Sequence, residues 1–157
     1  MPTGTSDQVI HTLEVTREEE IAAPIDVVFE TLLEEIGPLN EVGPGAAMPM
    51  TLEPWPGGRW FRDLGNNTGH LWGHVQVIKP PTLLEIAGPL FMSYPAISHV
   101  LFRLTADGAV TRLTFAHRAI GHITPDHRDG VGKGWAYILT KIRNGAERRR
   151  EASRRTG

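Results

Sequence analysis

The hydrophobic pattern of the chain begins with a strand and a helix. Residues 9–22 alternate loosely between apolar and polar positions, which is typical of a long strand with one face in water. The next segment, AAPIDVVFETLLEEI, has an apolar stripe at helical spacing, and Pro24 suits the first helical position. A Gly-Pro pair ends this helix, so residues 37–50 are predicted to form a loop with at most one short helical turn.

Five shorter apolar segments follow and are separated by turn residues. The connections are GNNT, KPPT, GPLFMSYP and ADGA, and they indicate an antiparallel meander. The final segment is a predicted helix capped by Thr124, and its ~25 residues span nearly 40 Å at ~1.5 Å per residue. An antiparallel sheet with one buried face needs a cover. The pattern therefore predicts an α+β domain in which a curved antiparallel sheet wraps around a long C-terminal helix.

Hairpin register predicts which side chains face the buried side of the sheet, because a slip of one residue turns every side chain over. In the GNNT hairpin the alternation pairs Trp60 with Gly73, a large ring over a glycine. The same register places Arg62 on the inner face, unless a bulge turns it outward. A guanidinium there needs a carboxylate, which could be Glu19 or an acidic ligand, or else it reaches the rim and stays in water.

The later hairpins place further side chains on the inner face. The KPPT hairpin pairs Val75 with Ile86 and leaves Trp72 on the outer face. His117 continues the apolar alternation of Phe115 in the last strand, so we expect it to be enclosed. A buried imidazole needs hydrogen-bond partners, and its pKa falls unless an opposite charge pairs with it. Structural and functional roles for this histidine are both open at this point.

Composition adds a large share of turn-forming residues. The chain has 157 residues with 17 glycines and 12 prolines, which excludes a simple helix bundle. Three glycines lie within Gly130–Gly134, where each costs about 1 kcal/mol relative to alanine in a helix. Either the final helix begins later, near residue 131, or the missing side chains leave room facing the sheet. Gly58 and Gly73 are further candidates for open space beside the inner surface.

Charge and missing residue types exclude several function classes. The chain has no cysteine, which removes disulfides, thiolate metal sites and thiol catalysis and fits a reducing compartment. Residues 141–157 carry a net charge of +5, which we interpret as cations at a helix end and not as a nucleic-acid tail, since the remainder carries −7. No signal peptide and no apolar stretch of ~18 residues is present, so we expect no membrane span and a cytoplasmic protein.

The chain is predicted to contain one domain and no resident cofactor. We divide it into a disordered N-terminus at 1–8, a domain at 9–147 and a basic tail at 148–157. His70 and His74 resemble a metal pair, but four strand steps of ~3.3 Å separate them by about 13 Å, too far to share a metal. No glycine-rich loop leads into a helix to cradle a phosphate. We therefore expect no metal and no cofactor.

Several short motifs come in an order that resembles a known superfamily. They are Ala23-Pro24, Pro56-Gly57-Gly58-Arg59-Trp60, Gly73-x-Val75, Val100-x-Phe102-x-Leu104, Thr111-x-Leu113-x-Phe115-x-His117 and Gly134-Trp135. The chain resembles START-like (SRPBCC, Bet v 1-like) domains over about residues 11–143. Within that superfamily it is similar to proteins resembling the C-terminal domain of the activator of the 90-kDa heat-shock protein ATPase.

The resemblance implies a helix-grip fold with a cavity between the sheet and the C-terminal helix. It also implies that members bind lipids, sterols, polyketides or other small apolar molecules, and that a few are cyclases or hydrolases. Two departures alter the predicted cavity mouth. Gly88 stands where relatives often carry tryptophan, and GPLNEVGPG replaces the short second helix. For this reason no particular ligand is carried over.

Three functions are open from the sequence. The first is binding of a small hydrophobic or weakly acidic molecule in a cavity of at least ~300 Å³. The second is a polyketide cyclase- or aromatase-like enzyme in which His117 or Tyr94 moves a proton. The third is a chaperone-activator-like interaction module that uses Trp72 or the arginine-rich end. The oligomeric state is open, and a homodimer is one alternative. The predicted pocket consists of six apolar residues and three polar ones: Trp60, Val75, Ile86, Phe102, Phe115 and Trp135, with Arg62, Tyr94 and His117.

Overall fold

The fold is a seven-stranded antiparallel sheet with two helices, which confirms the predicted α+β helix-grip arrangement. The structure is a computed structural model that describes residues 4–5 and 7–156, so part of the predicted N-terminal segment 1–8 lies outside the described residues. Chain order gives the elements β1 (His11–Ile21), α1 (Ile25–Glu35), β2 (Thr51–Leu52), β3 (Arg59–Gly65), β4 (Thr68–Lys79), β5 (Leu83–Gly88), β6 (Ala96–Asp107), β7 (Val110–Gly121) and α2 (Pro125–Thr156).

The sheet runs in the order β1-β7-β6-β5-β4-β3-β2. The chain therefore crosses the sheet once, from β1 at one edge to β2 at the opposite edge, and every later strand pairs with the strand before it. β1 pairs with β7 along its whole length, and the hairpins from β3 to β7 form the predicted meander. The long connection between α1 and β2 is irregular, with a bridge between Glu41 and Ala47. We call residues 37–50 the mouth loop, because it closes one end of the space beneath α2.

The two helices cover the inner face of the sheet. α1 buries Val28, Phe29 and Leu32, and it packs against both α2 and the sheet. α2 has 32 residues and therefore spans about 48 Å at ~1.5 Å per residue. It begins at Pro125, so the three glycines within Gly130–Gly134 lie inside the helix, and the later helix start near residue 131 is wrong. It continues through residues 148–156 of the predicted tail. In the described part of the chain, neither helix is long and apolar enough to cross a membrane.

Irregularities in β3 and β4 decide which side chains reach the inner face near the mouth loop. Trp60 pairs with Gly73 and Val75 pairs with Ile86, both as predicted. Between Trp60 and Phe61 the register shifts by one residue, and Trp72 is the extra residue on β4. A second shift near the turn cancels the first, so the predicted turn and the predicted Trp60 pairing hold while the residues between them slip.

Candidate functional site

The centre of the sheet–helix interface is filled. Phe102, Phe115, Val75 and Ile86 are buried and belong to one hydrophobic cluster with Trp135. The ring centroids of Phe115 and Trp135 are 4.6 Å apart, and those of Phe102 and Phe115 are 5.2 Å apart. These rings pack at ordinary aromatic contact distance. Four of the predicted pocket residues thus lie in packed core and do not line the cavity described below.

His117 is fully buried between the sheet and α2. The indole Nε1 of Trp135 donates to His117 Nδ1 at 3.0 Å, and His117 Nε2 lies 2.9 Å from Ser98 Oγ. Because an indole N–H can only donate, Nδ1 is the acceptor and Nε2 carries the proton that reaches Ser98. Burial lowers the pKa of His117 to about 4, so the ring is neutral near pH 7. Both ring nitrogens are occupied, and His117 joins β6, β7 and α2.

An open cavity lies beside this core, under the first turns of α2. Its volume is about 290 Å³, just below the expected minimum of ~300 Å³ for a ligand pocket. The walls come from α2, from β3 and β4, from the connection after β5 and from the mouth loop. The lining residues are Asn40, Glu41, Val42, Met48, Trp60, Trp72, Phe91, Asp126, His127, Gly130, Val131, Gly134, Trp135 and Ile138.

Two glycines of α2 keep this cavity open. A Cβ atom built on Gly130 or Gly134 meets no heavy atom within 4 Å, so these positions face free space. Gly145, three to four turns further along α2, differs, since its Cβ would lie 3.1 Å from Thr31 Cγ2. Gly73 also differs, because a Cβ there would lie 2.7 Å from the Ala87 carbonyl oxygen. The expectation of open space is therefore confirmed at positions 130 and 134, and it is wrong at 73.

The expectation of open space is also wrong at Gly58, near the edge of the sheet. A Cβ on Gly58 would lie 2.0 Å from the backbone oxygen of Glu53 and 2.8 Å from that of Trp55. The backbone N–H of Gly58 donates to the Trp55 oxygen in the same tight turn. This glycine therefore allows two backbone segments to approach closely, and it does not leave space for a ligand.

Aromatic rings form a continuous wall of the cavity. The ring centroids of Trp60 and Trp72 are 5.0 Å apart, those of Trp72 and Phe91 are 5.8 Å apart, and those of Phe91 and His127 are 5.1 Å apart. Each pair meets edge to face, which is a favourable geometry for aromatic rings. Trp60 Nε1 donates to the Ile36 carbonyl oxygen at 2.8 Å, so its indole N–H is used inside the protein.

Trp72 reaches this wall because of the bulge in β4, although the alternation places it on the outer face. Gly73 and Gly88 make the bulge sterically allowed. A Cβ on Gly88 would lie 2.4 Å from the Trp72 carbonyl oxygen, which also accepts a hydrogen bond from Leu90 N at 2.8 Å. An isolated glycine within a strand often marks a bulge or a close backbone approach. These two glycines are the sequence signal that could have revealed the inward position of Trp72.

Tyr94 lies behind the cavity wall and contacts it through His127. The Tyr94 hydroxyl is 2.6 Å from His127 Nδ1, and the Thr124 N–H donates to the same hydroxyl at 3.4 Å. His127 was not among the predicted site residues. Its position is readable from helical spacing, because residues three and four apart on a helix share a face and His127, Gly130 and Gly134 follow that spacing.

Arg62 lines a groove next to the cavity and not the cavity itself. The groove is shared with Met48, Trp72 and Phe91, and Arg62 is half-buried there. Glu19, the carboxylate considered as its partner, instead accepts a hydrogen bond from Arg143 Nη1 at 3.0 Å. Of the nine predicted pocket residues, Trp60 and Trp135 line the cavity.

A partly buried ammonium group attaches the mouth loop to the two helices. Lys141 Nζ on α2 lies 2.9 Å from Glu35 Oε2 on α1 and 2.6 Å from Glu41 Oε1 in the mouth loop, and it donates to the Leu39 carbonyl oxygen at 2.9 Å. Burial disfavours its charge, but hydrogen bonds to Glu41 and Glu35 outweigh this and raise the pKa of Lys141. The hydrogen bond from Lys141 in turn lowers the pKa of Glu41. Glu41 lines the cavity, so these contacts help to hold its wall.

Solved structures share this fold at low sequence identity. An uncharacterised protein from Rhizobium leguminosarum matches with a TM-score of 0.71 and 17% identity, over 91% of this chain and 99% of that chain. CalU16 from Micromonospora echinospora matches with a TM-score of 0.59 and 20% identity, over 87% and 81%. DynU16, a protein of the dynemicin biosynthetic locus, matches with a TM-score of 0.57 and 15% identity, over 85% and 46%.

Sequence comparison identifies the family. No curated protein matches the chain. The family model described as "Activator of Hsp90 ATPase homolog 1-like protein" matches residues 22–147, from the end of β1 to the second half of α2. This range includes the complete cavity and the filled core beside it. The chain therefore belongs to the activator of Hsp90 ATPase homolog 1-like family of START-like (SRPBCC) proteins.

Proposed function

We propose that the chain binds a small hydrophobic molecule in the cavity under the first turns of α2. The observation that carries the proposal is the contrast within the lining, where aromatic rings form a continuous wall and two glycines leave gaps in the wall that α2 forms. Ligand sites are typically concave and mostly apolar with few polar groups. The volume is roughly twice the ~150 Å³ apolar cavity that holds one benzene, so the ligand that fits has about two fused rings.

The position of the cavity supports a binding role over a packing defect. Each glycine in α2 costs about 1 kcal/mol of helix stability relative to alanine, and alanine would fit at positions 130 and 134 without a clash. The cavity also opens where the mouth loop, α2 and the sheet meet, so a ligand can enter without unfolding the core. Arg62 lies outside the lining, which favours the hydrophobic part of the expectation over the weakly acidic part.

Native mass spectrometry of the purified protein and titration with naphthylmethanol test this function. Binding is followed by the fluorescence of the lining tryptophans and by calorimetry. Gly134→Leu fills the cavity and is expected to weaken binding at least ~10-fold. Gly132→Leu is the matched control, because Gly132 lies on the same helix but not in the lining. Equal affinity of the two variants, with both shown to be folded by circular dichroism, would contradict the proposal.

A second candidate function is acid–base catalysis in the same cavity. It is favoured by the contact of 2.6 Å between the Tyr94 hydroxyl and His127 Nδ1, which leaves Nε2 as the nitrogen that can exchange a proton with a ligand. Exchange of the α-protons of tetralone in heavy water, followed by NMR, tests this chemistry. We expect His127→Gln to abolish an acceleration that His122→Gln retains, since His122 does not line the cavity. An exchange rate equal to that of buffer would rule the candidate out.

A further inference from the structure

The charged side chains that line the cavity have one sign. Glu41 and Asp126 are acidic, and among the described residues neither a lysine nor an arginine belongs to the lining. From this asymmetry and the aromatic wall we infer that the cavity prefers a positively charged amine over an uncharged or acidic molecule of the same size. The inference rests on the proposed function and adds the chemical class of the ligand.

The aromatic wall favours a cation independently of the carboxylates. Trp60 Nε1 donates to the Ile36 carbonyl oxygen, and Trp135 Nε1 donates to His117 Nδ1. The N–H groups of these two indoles are therefore engaged within the protein, and a ligand meets their carbon rings. Phe91 adds a third ring to the same lining. A cation within about 6 Å of such a ring is attracted by the negative face of its π-system, and desolvation strengthens this attraction.

The positive charges of Lys141 and of the start of α2 do not reverse the sign. Lys141 pairs with Glu41, but it is shared with Glu35, so this group of three side chains keeps a net charge of −1. The start of α2 contributes a partial positive charge, and Asp126 stands in the first turn, where a carboxylate offsets it. Residues 1–140, which include every lining residue, together carry a net charge of −7.

Three probes of equal size separate this inference from the proposed function. They are naphthylmethylamine, naphthylmethanol and naphthoate, titrated calorimetrically at pH 7 and low salt. We expect the ammonium form to bind at least ~10-fold more tightly than the carboxylate and more tightly than the alcohol, since like charges in a site are costly. Equal affinities, or a preference for the alcohol or the carboxylate, would overturn the inference and leave the hydrophobic cavity in place. Binding of none of the three would overturn both.

Two aspartates of α2 provide a matched pair of variants. Asp126 lines the cavity, and Asp129 lies one turn further along the same helix without lining it. We expect Asp126→Asn to lower the ratio of amine to alcohol affinity about threefold or more, and Asp129→Asn to leave the ratio unchanged. An equal fall in both variants would assign the preference to the overall charge of the protein and would overturn a role for the cavity carboxylate.

Discussion

α2 covers two regions of the sheet that differ in packing. In the filled half, defined by Phe102, Phe115 and Leu139, rings and aliphatic chains from both layers are buried in mutual contact. In the open half, the same helix has two positions without a side chain, Gly130 and Gly134, and a Cβ at either one would meet no heavy atom within 4 Å. Facing the helix is therefore not enough to make a residue part of a binding site. Space for a ligand remains where the helix opposite the sheet carries these two glycines.

The largest difference between the halves is expected for phenylalanine truncation. Phe102→Ala removes a ring with 0% exposure from the filled half and should lower the free energy of unfolding by about 3–5 kcal/mol. Phe91→Ala removes a half-buried ring from the open half, where the cavity already exists, and should cost less than about 2 kcal/mol. Urea unfolding of both variants measures the difference. Similar losses would show that the open half is as tightly packed as the filled half.

The next effect concerns the histidine at the centre of the filled half. An unfolded histidine takes up a proton near pH 6.5, whereas burial lowers the pKa of His117 in the folded protein to about 4. As the pH falls from about 6.5 to about 4, the unfolded state binds one more proton at this site, and stability falls by up to about 3 kcal/mol. The loss is complete below the folded pKa.

Replacing this histidine separates its contribution from those of the other six histidines of the chain. His117→Gln keeps a donor and an acceptor at the site but does not titrate, although it lowers stability at every pH. Between pH 6.5 and 4 the free energy of unfolding of this variant should therefore fall less steeply with decreasing pH than that of the wild type. The difference in slope should correspond to the uptake of about one proton on unfolding. If the free energies of unfolding of the variant and the wild type depended equally on pH across this range, His117 would take up its proton at an ordinary pKa in the folded state.

The filled half was readable from the sequence because it depends on strand alternation. Trp60 opposite Gly73 and Val75 opposite Ile86 follow from apolar residues at every second position between recognisable turns. The same alternation places His117 inside next to Phe115, where the structure has it. Long strands joined by short turns leave few alternative registers, so these positions follow from local rules.

The open half depends on features that alternation does not contain. Trp72 lines the cavity only because of an extra residue in β4, and Phe91 comes from an irregular connection. Placing His127 requires the start of α2, and the glycines at 130 and 134 leave that start open because they weaken the helical pattern. The conformations of a bulge, a loop and a glycine-rich helix start depend on tertiary contacts. These contacts cannot be derived from local patterns in a single sequence.

The smallest expected effect compares two glycines of α2, one from each kind of packing. Gly134→Ala places a methyl group in free space, so the gain in helix propensity should raise the free energy of unfolding by up to about 1 kcal/mol. Gly145→Ala gains the same propensity, but its Cβ would lie 3.1 Å from Thr31 Cγ2 and 3.4 Å from Glu35 Oε1, so α1 must shift.

We therefore expect Gly145→Ala to be less stable than Gly134→Ala in thermal and urea unfolding, with a net change near zero or negative. Gly132→Ala is the control for helix propensity alone, because its Cβ also meets no heavy atom within 4 Å and it lies outside the cavity lining. If Gly134→Ala were destabilising while Gly132→Ala were stabilising, the wall opposite Trp60 would be closed in solution. In that case the space beneath the first turns of α2 would be too small for a ligand of two rings, and both halves would have to be described as packed core.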